Sequence, residues 1–75
     1  MESYDIDPER IKTENVDVEL IDDDLILEGE NWRISLNVQK IKAIREVKVI
    51  NGFQIILYNE LGISWGRDGK LWIKW

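Results

Sequence analysis

The 75-residue chain contains neither cysteine nor histidine. Without cysteine there is no disulfide, no thiolate nucleophile and no sulfur ligand for a metal, so packing or a partner must supply stability. Without histidine the commonest general base and the commonest neutral metal ligand are both missing. Ser-His-Asp and Cys-His sites are thereby excluded. The remaining hydroxyl groups outside tyrosine, on Ser3, Ser35, Ser64 and Thr13, have no base at a recognisable spacing. No catalytic residue is expected, and the chain reads as a non-enzyme. The five glycines occur singly at turn positions and build neither a phosphate-binding loop nor a dinucleotide fingerprint. No cofactor is expected. No apolar run approaches the length of a membrane span, and the opening Met-Glu-Ser-Tyr-Asp does not resemble a signal sequence, which predicts a cytoplasmic protein without a membrane partner.

What is present is unevenly placed. The net charge is −5, but residues 1–30 hold twelve acids against Arg10 and Lys12, which is −10, and residues 31–75 hold eight bases against three acids, which is +5. Either the two sets neutralise each other across the fold, or the domain is dipolar, with an acidic rim suited to a basic partner surface.

Hydrophobic periodicity divides the chain into an acidic N-terminal arm, residues 1–15, and a single β-rich domain, residues 16–75. Within the arm Asp7-Pro8-Glu9 can open one helical turn, with Asp7 as N-cap and Pro8 at the first helical position. Val16, Val18 and Leu20 alternate with Asp17 and Glu19, which is the period of a half-buried strand. Leu25–Glu28 and Trp32–Leu36 follow it in an antiparallel meander. Val38–Arg45 fits both periods, since Val38, Ile41 and Ile44 share a helical face; its Gln, Lys, Ala and Arg residues favour one or two helical turns. Glu46–Tyr58 flanks Asn51-Gly52, a type I′ turn signal, and is expected to form the central hairpin. Asp68-Gly69 is a second such signal. A two-residue loop there sets Trp65 opposite Trp72 and Ile63 opposite Lys74, with Leu71, Ile73 and Trp75 on the other face. The fold expected is mainly β, a small antiparallel sheet or open barrel made of a three-stranded meander, a short helix and two hairpins.

Two clusters are candidate contact surfaces. Asp22, Asp23 and Asp24 with Glu28 and Glu30 suggest a cation site, but Ile26 stands where a calcium loop needs an oxygen ligand, so a solvated acidic turn is the better reading and no metal is expected. Four tryptophans in 75 residues are the other unusual feature. Trp32 and Trp75 are expected in the core. Trp65 and Trp72, with Arg67, Lys70 and Lys74 between and beside them, make a candidate partner-binding face, because Trp and Arg dominate interface hot spots. Such a face also suits single-stranded nucleic acid, although the acidic arm opposes a polyanion.

The alternation in Leu25–Leu27 and Trp32–Leu36 and the closing Gly62-Ile63-Ser64-Trp65 resemble the small bacterial domain-of-unknown-function family 2442. Its members commonly close with Gly-Ile-His-Trp-Pro; here Ser64 replaces the His and Gly66 the Pro. The resemblance implies an antitoxin-like binding protein without an enzyme site. The expectation is therefore a non-catalytic inhibitor or regulator that binds a protein with a basic surface, and that has an apolar last strand able to serve as a homodimer seam. The alternatives are a phage-encoded inhibitor of a bacterial defence complex, acting as an acidic nucleic-acid mimic, and a nucleic-acid-binding module using the C-terminal tryptophans.

Overall fold

The computed structural model describes residues 6–75. Among the described residues the fold is mostly β, with seven strands in two antiparallel sheets and one short helix. In the first sheet β1 (Asp17–Ile21), β2 (Asp24–Glu28) and β3 (Arg33–Asn37) follow one another as a meander. In the second, β4 (Ile41–Val47), β5 (Gly52–Leu57), β6 (Gly62–Trp65) and β7 (Leu71–Lys74) do the same.

Both sheets turn one face onto a common core. Val18, Leu25 and Leu27 come from the first sheet and Ile41, Ile55, Leu57, Ile63 and Trp65 from the second, with Ile11, Val16 and Val38 closing the ends. The meander is as its alternation predicts: Val18 pairs with Leu27 and Leu25 with Leu36 on the inward side, while Asp17, Glu19, Glu28 and Ser35 fall outward.

The first helical turn, α1 (Pro8–Ile11), has the expected cap, with the Glu9 amide donating to Asp7 Oδ1 at 3.1 Å. Ile11 is buried, so this part of the arm packs onto the domain. Residues 1–5 of the arm lie outside the described residues.

Five expectations need correction. Val38–Arg45 is one 3₁₀ turn, Val38–Lys40, followed by strand β4. The helical spacing of Ile41 and Ile44 has another cause. A register shift between Ile41 and Ala43 leaves Lys42 as an extra residue, so Ile41 faces Leu57 and Ile44 faces Ile55 on the same side of the sheet. A bulge mimicked a helix.

The β4–β5 connection is a 3₁₀ turn, Lys48–Ile50, closed by Asn51 in the left-handed region at φ 52°. Gly52 has no positive φ and already pairs with Val47. This hairpin is also not central, since β4 is the edge of its sheet.

The β6–β7 loop has five residues, Gly66–Lys70, with Gly69 at φ +82°. Ser64 therefore faces Trp72 and Trp65 faces Leu71. A shift of one residue exchanges every side chain between faces. Trp65 and Ile63 go into the core, and Trp72 and Lys74 go outward.

Trp75 is not a core residue; it is 91% exposed. Trp32 is half-buried and packs against the edge of the core.

Candidate functional site

Folding separates the two candidate clusters. Asp24 and Glu28 project from the outer face of the meander beside Asp17 and Glu19, and Asp22 and Asp23 form the turn at its end, with Asp22 at φ 55°. Arg33 faces Glu28 and Lys12 approaches Asp17 at 3.8 Å. Among the described residues the other ion pairs are Lys42–Glu60 at 3.8 Å and Arg67–Glu14 at 2.8 Å. Only the last joins the acidic and basic parts of the chain. On the meander's acidic face Asp17 and Glu28 have a basic neighbour, while Glu19 and Asp24 have no ion-pair partner among the described residues. Among the described residues no group of three or more acidic side chains is arranged to hold a metal ion.

Glu30 is the exception among the acidic candidates. It lies in the β2–β3 turn and shares a concavity of about 540 Å³ with Trp32, Lys70 and Trp72. Trp65 leaves the set altogether, because it is wholly buried and its Nε1 donates to the Ile11 carbonyl at 3.1 Å. Lys74 shares the outward face with Trp72 and Arg45. Arg67 Nε donates to Glu14 Oε1 at 2.8 Å, which holds its guanidinium beside the Trp72 surface.

The loop Gly66–Lys70 explains how this surface is built. Three segments distant in sequence converge on it. Asn15 Nδ2 donates to the Arg67 carbonyl at 2.6 Å, Trp32 Nε1 donates to the Gly69 carbonyl at 2.8 Å, and the Arg67 amide donates to the Ile50 carbonyl at 3.1 Å. Within the loop the Gly69 amide donates to the Gly66 carbonyl and the Lys70 amide to Asp68 Oδ1. Backbone groups tied on several sides hold a loop in one conformation. Trp72 follows it after one residue, Leu71.

Trp72 is 58% exposed although it sits in a regular strand. Its indole borders the Glu30 concavity and a second of about 540 Å³ lined by Glu14, Asn15, Val49, Ile50, Asn51, Arg67 and Asp68. Val49, 90% exposed, lines this concavity and is a candidate contact residue that sequence reasoning missed. Alternation places it inside a strand, and only the 3₁₀ turn brings it to the surface. Glu14 and Asn15 were likewise hidden, because their partner Arg67 lies more than fifty residues away.

Comparison of the chain with family models, curated proteins and solved structures gives no match. Among the described residues no helix is long and apolar enough to cross a membrane.

Proposed function

We propose that this protein is a non-catalytic protein-binding module whose contact surface centres on Trp72. The observation that carries the reading is an exposed indole on a strand, set between two concavities, above a loop pinned from three directions. Rigid aromatic anchors flanked by arginine are the residues that dominate interface energies, because little side-chain freedom is lost when they are covered. The rim of Glu14, Glu30, Arg67 and Lys70 carries both signs, which favours a polar protein surface over a uniform polyanion.

The resemblance at Gly62, Ile63 and Trp65 agrees with such a role, in an antitoxin-like or regulatory form. All three residues are buried in β6, so they concern packing of that strand, and Trp72 concerns binding.

The test compares baits. The intact protein and Trp72→Glu are used in parallel pull-downs from the source cell at low and moderate salt. A protein retained by the first and lost by the second, with unchanged circular dichroism, supports the reading; equal retention sinks it.

A second reading rests on the outer face of the meander. Asp17, Glu19, Asp24 and Glu28, with Asp22 and Asp23 at its end, form a patch that could stand in for phosphates in the nucleic-acid site of another protein. Charge reversal at Asp22, Asp23 and Asp24 then abolishes capture and DNA competes with the protein. If only Trp72→Glu has an effect, the acidic face is not the contact.

A further inference from the structure

The four lateral edges of the two sheets are unlike. β1 carries Asp17 and Glu19, β3 carries Arg33, and β4 carries Lys42, Arg45 and Glu46 together with its bulge. Charges and bulges on an edge strand discourage pairing with another chain. β7, like β3, carries a single charge, Lys74, and no bulge, but unlike β3 it exposes large apolar side chains. Trp72, Ile73 and Trp75 are exposed at 58%, 48% and 91%. Among the described residues its only ladder is with β6, so the backbone groups along its other side have no strand partner.

We infer that β7 is the seam of a homodimer, in which β7 of a second copy adds antiparallel to it and the two four-stranded sheets continue as one. The seam stands on the comparison of edges and includes Trp72, so a second copy and a partner held through that indole compete. Self-complementarity selects a second copy as the occupant.

In a two-fold antiparallel pair whose outer faces stay on the same side, the axis passes through a residue, because facing side chains must share a face. Centring it on Trp72 sets Lys70 against Lys74 of the second copy, and centring it on Lys74 sets that residue against its own counterpart. Like charges directly opposite are destabilising. Centring it on Leu71 runs the pairing into the Gly66–Lys70 loop. Only Ile73 avoids all three.

With the axis there, Ile73 faces Ile73 of the second copy, and Trp72 faces Lys74 of the second copy twice, an ammonium beside an indole each time. Leu71 faces Trp75. The exposed tryptophan surface sets an upper bound on what the seam can bury. At about 250 Å² for a whole tryptophan, the exposed parts of Trp72 and Trp75 come to roughly 370 Å² per protomer, or about 740 Å² for the pair. Ile73 and the paired backbone bring this toward the ~1,000–1,200 Å² at which specific interfaces begin.

Sedimentation equilibrium of the intact protein reads the state directly. A concentration-dependent dimer is expected, converted to monomer by Ile73→Lys and unaffected by Ile21→Lys, which alters an equally exposed isoleucine, 48%, on an edge strand of the other sheet. Because the chain has no cysteine, Ile73→Cys introduces its only thiol, placed against its own counterpart. Diamide should convert that variant to a covalent dimer on a non-reducing gel and leave Ile21→Cys monomeric, so the proposal stays decidable even if Ile73→Lys fails to fold. A wild-type monomer at every concentration, or equal cross-linking of the two thiol variants, overturns it. Because the seam covers Trp72, Ile73→Lys should abolish the dimer while it keeps or raises retention of a partner through Trp72, so loss of self-association is read separately from loss of partner capture.

Discussion

The backbone of Trp65 occupies the space that a side chain at residue 52 would fill. A Cβ built on Gly52 falls closer to the Trp65 carbonyl oxygen than real Cβ atoms approach, and 2.6 Å from the Gly66 Cα. The glycine long associated with the turn signal Asn51-Gly52 is therefore required by a neighbouring strand end, since its own φ is not positive. Gly52→Ala should cost about 3 kcal/mol, at the upper end for overpacking, because the obstructing atoms are backbone and cannot rotate away. Urea unfolding followed by tryptophan emission measures it; a loss below about 0.5 kcal/mol would show that β5 and β6 can part without penalty.

Trp65 joins the N-terminal turn to the sheet. Its indole is wholly enclosed, and its N–H satisfies the carbonyl of Ile11. Trp65→Phe should cost about 2–3 kcal/mol, combining a cavity with an unpaired buried carbonyl. Trp65→Ala should cost about 3–5 kcal/mol, close to the whole stability of a small domain. Equilibrium denaturation of the two variants tests the order.

Trp32 should act on the loop beneath the contact surface. Its N–H to the Gly69 carbonyl, 2.8 Å, spans 37 residues, and its ring lies over Gly29 so closely that a Cβ there would meet indole atoms. Trp32→Phe should cost about 1 kcal/mol and speed amide exchange at Gly69 and Lys70. Gly29→Ala should do the same by displacing the ring. Hydrogen exchange resolved by residue decides; unchanged protection in both variants would detach Trp32 from the loop.

Glu60 has φ 74° in the β5–β6 turn, a conformation that costs an ordinary L-residue about 1–2 kcal/mol. Its ion pair with Lys42, 3.8 Å between exposed groups, offsets little of that. Glu60→Gly should raise stability by roughly 0.5–1 kcal/mol after the added entropy of the unfolded glycine. Thermal unfolding should show a higher midpoint; a lower one would mean that the Lys42 pair outweighs the backbone strain.

Local pattern determined much of this molecule. Alternation in Val16–Leu20, Leu25–Glu28 and Trp32–Leu36 produced the meander, because one strand face must be apolar wherever a sheet covers a core, and Asp7-Pro8 capped its helical turn with no help from elsewhere. The absence of histidine and cysteine bounded the chemistry before any fold was known. Tertiary structure decided the rest. The bulge at Lys42 turned a helical spacing into a strand, and the five-residue loop Gly66–Lys70 moved Trp65 inward and Trp72 outward. Strand alternation has a period of two, so one extra residue in a loop or ladder reverses which side chains meet water. Loop length in this domain is set by contacts from Asn15, Trp32 and Ile50, residues too distant in sequence for local periodicity to register.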